Sequence, residues 1–231
     1  MPRQSRVVIP GIPHHITQRG NRRQRTYFEE SDYHAYIGLL AKFSRRHRIE
    51  ILAYCLMPNH VHLVAIPLEN DSMRKTLGNV HQHYTARINE RQGWTGHLWQ
   101  GRFSSFPMDE EHCLRAMNYV ELNPVRAGLV EKAEDYPWSS ANARIQNRRD
   151  PLVRSESISN FERPLMGGGD IYDPRSFREH ERSGRPLGSP EFLSTLEMRL
   201  GRRFAKKGPG RPPREKSKNG GCPLFNQGGV D

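Results

Sequence analysis

Two short apolar runs dominate the middle of the chain. Ile49-Glu50-Ile51-Leu52-Ala53-Tyr54-Cys55-Leu56 is rich in β-branched and aromatic residues, and His60-Val61-His62-Leu63-Val64-Ala65-Ile66 alternates at its start. Both predict strands. Pro58-Asn59 is the turn between them, so the two strands are antiparallel neighbours in a hairpin. Residues 11–19 predict an earlier strand that leaves into the basic turn Gly20-Asn21-Arg22-Arg23. Residues 97–106 predict a later one, with Gly101 at a bulge.

Helical spacing fills the gaps. Tyr33, Tyr36, Ile37, Leu40 and Ala41 predict a helix over 31–47, capped by Ser31. Met73, Leu77, Val80, Tyr84 and Ile88 make the apolar stripe of a second helix, opened by Asp71 or Ser72 and closed by Gly93 and Gly96. A third runs from Asp109 to about Leu122, with Cys113, Met117 and Val120 inward, and Pro124 disfavours its continuation. The order strand, helix, strand, strand, helix, strand, helix predicts an α+β ferredoxin-like sandwich, an antiparallel sheet with helices packed on it.

The pattern changes near residue 150. Residues 1–150 read as one domain. Residues 151–231 read as a basic, largely flexible extension containing Gly167-Gly168-Gly169 and one short helix near 190–201, with Phe192, Leu196 and Leu200 on one side. Arg202, Arg203, Lys206, Lys207, Arg211 and Arg214 then sit among Gly and Pro, the composition of a disordered arm.

Composition narrows the partner. Lys and Arg number 36 against 25 Asp and Glu, a net charge of +11, which points to a polyanion. No apolar run approaches the roughly 18 residues of a membrane span, so no membrane partner is expected. Cys55, Cys113 and Cys222 form no paired spacing, which suits a reducing cytoplasm and excludes a disulfide scaffold.

The chemistry starts at His60 and His62. Two residues apart in a strand, they share a face, while Val61 and Leu63 take the other. Such a pair can bind a metal or grip a phosphate; a solvated polar face is the bland alternative. On the third helix His112, Arg115, Tyr119 and Asn123 form a polar stripe, which would approach the histidines if that helix crosses their face of the sheet. Two imidazoles and an amide oxygen would leave positions for water and phosphate, and Tyr119 would be the nucleophile. His14 and His15 read as structural.

Taken with Tyr119-Val120-Glu121-Leu122-Asn123-Pro124-Val125-Arg126-Ala127-Gly128, the run Met57-Pro58-Asn59-His60-Val61-His62-Leu63-Val64 resembles the single-tyrosine HUH transposases of the IS200/IS605 type. It resembles most their domesticated relatives, the REP-associated tyrosine transposases. Gly11-Ile12-Pro13-His14-His15-Ile16-Thr17-Gln18-Arg19-Gly20-Asn21, Leu98-Trp99-Gln100-Gly101-Arg102-Phe103 and Tyr136-Pro137-Trp138-Ser139-Ser140 carry the likeness in the same order, over about residues 1–145. The resemblance implies a metal on His60, His62 and Asn123, either Mg²⁺ or Mn²⁺, and Tyr119 forming a 5′-phosphotyrosine. Many insertion-sequence members carry Gln where this chain has the shorter Asn123. It implies single-stranded DNA hairpins as substrate, a monomer or homodimer, and a cytoplasmic, nucleoid-associated site of action. Arg19, Asn21, Arg22, Arg102, Arg115 and Arg126 are the candidate DNA contacts. Two alternatives stand beside this reading: a hairpin-binding protein of the same fold without turnover, and an H-x-H metal hydrolase of small substrates. The second leaves the positive charge without a use.

Overall fold

A computed structural model describes residues 6–146, 148–153 and 174–204. Four strands, β1 (His14–Arg19), β2 (Ile49–Met57), β3 (His60–Pro67) and β4 (Ser104–Pro107), form one sheet in the order β2-β3-β1-β4, with every pair antiparallel. With α1 (Glu30–Arg46) after β1 and α2 (Ser72–Gln92) after β3, this is the predicted ferredoxin-like arrangement. Among the described residues, no helix is long and apolar enough to cross a membrane.

The helices do not share one side. Tyr36, Leu40, Leu77, Val80 and Tyr84 from α1 and α2 pack with Ile16, Val61, Leu63 and Ala65 on one face. On the other face, Cys113, Ala116, Met117 and Val120 of α3 (Glu110–Glu121) pack with Ala53, Cys55, Val64 and Phe106. The strands are therefore covered on both sides, and the period-2 alternation of β3 separates two cores rather than core from solvent.

Several local expectations are corrected. The cap of α1 is Glu29, not Ser31: Glu29 and Asp32 form a reciprocal capping box, and Ser31 Oγ donates to the Glu29 carboxylate. The predicted strand 97–106 is split at Gly101 (φ +60°). Before it, Trp99 bridges Gly20 and the Gln100 amide donates to Arg19 O at 2.8 Å; after it the chain enters β4. The aromatics flanking Arg102 are core, Trp99 and Phe103 in one cluster and Phe106 in the other. After α3 the chain turns once at Leu122 and resumes as α4 (Asn123–Arg126), with Pro124 inside its first turn, where a missing N–H costs nothing. A five-residue helix, α5 (Ala141–Ile145), follows.

Both sheet edges are covered. Cys55 bridges Ser139 beyond β2, and Leu187 bridges Met108 beyond β4. The second cover comes from the extension, whose described part is helical and packed: α6 (Pro174–Ser183) and α7 (Pro190–Leu200). Phe177 of α6 is fully buried beside Phe106, with ring centroids 5.3 Å apart. Leu196 of α7 packs with Val7, Ile9 and Phe204, whereas Leu200 is 40% exposed and outside that cluster. Asp109 joins the two parts. Its carboxylate accepts from the His112 amide at the start of α3 and from the Ser189 amide at the start of α7. The triglycine segment, the basic residues Lys206 to Arg214 and Cys222 lie outside the described residues.

Gly20 ends β1 where no side chain fits. A Cβ there would lie 2.4 Å from Gln24 O and 2.7 Å from Thr26 Cγ2. Its amide donates to Asn59 O at 2.9 Å, so the same point fixes the turn before His60. Gly20→Ala is expected to cost roughly 1–3 kcal/mol in urea denaturation, with the Asn59 turn displaced.

Candidate active site

Strand register decides which side chains share the face beneath α3. His60 lies opposite Arg19 and Met57, and His62 opposite Thr17 and Cys55. Directly paired residues point the same way, so His15, Thr17 and Arg19 of β1 join His60 and His62. The histidine rings lie 4.9 Å apart, nearly perpendicular. Tyr119 of α3 comes down on the same face, with its ring 6.1 Å from the His62 ring and edge-on to it. The tyrosine and the histidine pair, far apart in sequence, meet here.

Each histidine uses Nδ1 locally. His60 Nδ1 lies 2.6 Å from Asn59 Oδ1, and His62 Nδ1 lies 3.1 Å from His15 Nε2. These contacts orient both rings. Burial pushes the His60 pKa down to about 4, helped by the Arg19 charge, and holds His62 well below its ordinary value. Both imidazoles are neutral near pH 7, the form that donates a lone pair to a cation.

Sequence reading missed His15. It is 1% exposed, its pKa is lowered to about 3 by burial, and its ring stacks on His62 at 5.3 Å. His14, by contrast, is structural as expected, with Nδ1 2.7 Å from Ile12 O and Nε2 accepting from the Ile9 amide. The signal for His15 was its parity with Arg19, but without the register that parity has no partner.

Two residues of α6 also reach the site. Phe177 stacks on the Tyr119 ring at 4.6 Å. Glu181 Oε1 lies 3.7 Å from His15 Nδ1 and 3.8 Å from His62 Nδ1. These are not ion pairs, because both histidines are neutral. Burial raises the Glu181 pKa to about 7, against the lowering pull of Arg19 and Arg178. Among the described residues, His15, His62 and Glu181 form a group able to hold a metal ion, and His60 lies outside it. Asn123 opens α4, one turn beyond Tyr119, and its carbonyl accepts from the Ala127 amide.

The tyrosine is held rather than free. Arg126 Cζ sits 4.1 Å over the Tyr119 ring, and its Nη2 donates to Tyr119 O at 2.5 Å. Burial raises the Tyr119 pKa, as does the Glu181 charge; Arg126 and Arg178 pull it back down. Two residues further on, Glu121 is fully buried. It accepts from Ser140 Oγ at 2.7 Å and from Arg144 Nε at 2.7 Å, which ties the end of α3 to the chain covering the β2 edge.

The remaining candidates separate. Arg19 and Arg102 line, with Arg6, His60, His62 and Gln100, a groove of about 790 Å³. Arg22 is exposed on the turn beside it with φ +53°, and the Asn21 amide is engaged by Leu98 O. Arg115 is exposed on α3 and pairs with Glu111, while His112 pairs with Asp109. Neither lines the groove, so the polar stripe of α3 divides at Tyr119.

The family described as "Transposase IS200 like" matches residues 10–123, which span the sheet, the hairpin, Tyr119 and Asn123. Residues 10–123 are therefore similar to the IS200-like transposases. The chain is 20% identical over 141 residues to an Escherichia coli REP-associated tyrosine transposase, covering 61% of this chain and 83% of that protein. It is 26% identical over 102 residues to a Haemophilus influenzae protein provisionally assigned the same name, covering 39% of this chain and 58% of the relative. The matched region thus spans little more than half of the Haemophilus protein. A solved REP-associated tyrosine transposase bound to a REP hairpin superposes with TM-score 0.55 at 19% identity, over 75% of this chain and all of that one, a likeness of fold.

Proposed function

We propose that this chain is an IS200-like transposase, a metal-dependent single-stranded DNA endonuclease and strand transferase that acts on hairpin DNA through a 5′-phosphotyrosine at Tyr119. The observation that carries it is the meeting of Tyr119 with the His60–His62 pair on one sheet face, beside a groove lined by Arg19 and Arg102. The relatives are REP-associated tyrosine transposases, and one is bound to a REP hairpin.

His60 and His62 fit a divalent cation. With Nδ1 of each taken by Asn59 or His15, Nε2 is the nitrogen left to donate, and Asn123 would add an amide oxygen. Two borderline nitrogens and one hard oxygen suit Mn²⁺ or Mg²⁺. Such an ion supplies Lewis-acid polarisation of the scissile phosphate. Tyr119 Oη attacks phosphorus and forms the Tyr–O–P bond, while the P–O3′ bond breaks and the leaving oxygen takes a proton. Attack by another 3′-hydroxyl reverses the step, rejoins DNA and returns the phenol. The ester conserves the bond energy, so no nucleotide cofactor is consumed.

Arg19, Asn21, Arg22 and Arg102 would track the backbone, and the excess of +11 supplies long-range attraction. Arg102→Ala is expected to weaken hairpin binding at all sequences alike and to reduce the slope of log K against log salt by about 0.7. Arg126 acts on Tyr119 rather than on DNA in this reading. The role is DNA transposition or REP-element mobilisation in the cytoplasm, at the nucleoid, by a monomer or homodimer.

Phe177 stacked on Tyr119 favours a second reading, a hairpin-binding protein whose tyrosine stays covered. One assay decides. Labelled hairpin single-stranded DNA with Mg²⁺ or Mn²⁺ is run on a denaturing gel. A covalent protein–DNA band supports the transferase. Binding without a band supports the second reading. Cut DNA without an adduct would assign the attack to water.

A further inference from the structure

We propose that His15, His62 and Glu181 form a second cation site, separate from the His60–His62–Asn123 set, which takes a borderline ion of the zinc class and fastens α6 over Tyr119. The three donors come from β1, β3 and α6, and their ligand atoms all lie within 4.8 Å of one another. His15 Nε2 and His62 Nδ1 are 3.1 Å apart, and Glu181 Oε1 is 3.8 Å from the latter. Bonds of about 2.0–2.1 Å in a tetrahedron set donors roughly 3.3–3.4 Å apart. The two edges that meet at His62 Nδ1, 3.1 and 3.8 Å, lie within about half an ångström of that spacing, and water would take the fourth corner.

His15 Nε2 and His62 Nδ1 answer each other, but two atoms beside them have no partner. His15 Nδ1 and Glu181 Oε1 are both buried without a hydrogen-bond partner. Burying such atoms costs free energy unless something answers them. A cation on His15 Nε2, His62 Nδ1 and Glu181 answers both: the carboxylate gains the ion, and His15 Nδ1 carries its proton toward that carboxylate, 3.7 Å away. Two imidazoles with one carboxylate select zinc over magnesium.

The site has a consequence that rests on the function proposed above. A neutral imidazole has one lone pair. A cation on His62 Nδ1 puts the proton on Nε2, the nitrogen that would serve with His60. Occupancy of one site therefore opposes the other, and the same ion holds Phe177 against Tyr119.

The test is a Co²⁺ titration of the full-length protein without DNA, read by the visible absorption of four-coordinate cobalt, with Zn²⁺ as competitor. The expected result is one tetrahedral site that Zn²⁺ displaces. Glu181→Gln should weaken it by about 10–100-fold. Glu181→His, which replaces carboxylate by imidazole, should restore it. His60→Ala and Asn123→Ala should leave it unchanged. Zn²⁺ should also protect α6 from trypsin at Arg178 and Arg182 in the wild type but not in Glu181→Gln. Circular dichroism of each metal-free variant separates loss of the site from loss of the fold. Absence of a tetrahedral band, or binding that survives Glu181→Gln and fails in His60→Ala, overturns the proposal. Failure to form a DNA adduct would count against the transferase reading and leave the cobalt result standing.

Discussion

Tyr119→Phe is expected to remove the covalent protein–DNA band altogether and to lower strand cleavage by on the order of 10³–10⁶-fold. The change deletes one oxygen and little else. The ring would keep its stack on Phe177 at 4.6 Å and its contact with Arg126 at 4.1 Å, and Arg126 would keep its bond to the backbone carbonyl, so only the hydroxyl's own contacts with Arg126 and Arg178 are lost. Thermal stability and hairpin affinity should stay near wild type. The loss would then report on the nucleophile and not on packing. A variant that cleaves at more than a tenth of the wild-type rate would remove Tyr119 from the chemistry. The control is hairpin binding by gel shift at matched salt, since phosphate contacts make affinity salt-dependent.

Arg144→Ala is expected to destabilise the fold by about 3–5 kcal/mol, read from the urea midpoint. Glu121 is fully buried, and Arg144 provides its charged partner, with Ser140 as the other donor. Removing the guanidinium leaves a carboxylate out of water with one hydroxyl to answer it, and that penalty exceeds what the intact pair contributes. Glu121 lies two residues beyond Tyr119, so adduct formation should fall as well, even at temperatures where the variant is folded. The double variant Glu121→Gln, Arg144→Met should recover much of the stability, because it removes the stranded charge. A loss under about 1 kcal/mol would mean that water reaches Glu121 and that the pair does little to hold the helix end.

How far the sequence reaches can be seen at particular residues. The hairpin through Pro58-Asn59 was legible because turn length forces antiparallel neighbours, and α2 was legible because five apolar residues at helical spacing are all buried. His60, His62 and Tyr119 carried a motif signal, and their convergence follows once α3 lies across that sheet face. The cap of α1 and the break at Gly101 were misjudged, since local chemistry offered several answers and only neighbouring chain selected among them. His15 and Glu181 were not legible as site residues at all.

The chain by itself determined the order of the main strands and helices and offered His60, His62 and Tyr119 as candidates, because periodicity, turn length and motif spacing are local properties. The tertiary structure decided which of those residues meet. Strand register set His15 beside His62, the second face of the sheet received α3 rather than solvent, and α6, from beyond the matched region, supplied Glu181 and Phe177. Those contacts join residues up to 166 positions apart in sequence (Glu181 and His15: 181 − 15 = 166), and no pattern within a strand or helix encodes a neighbour that distant.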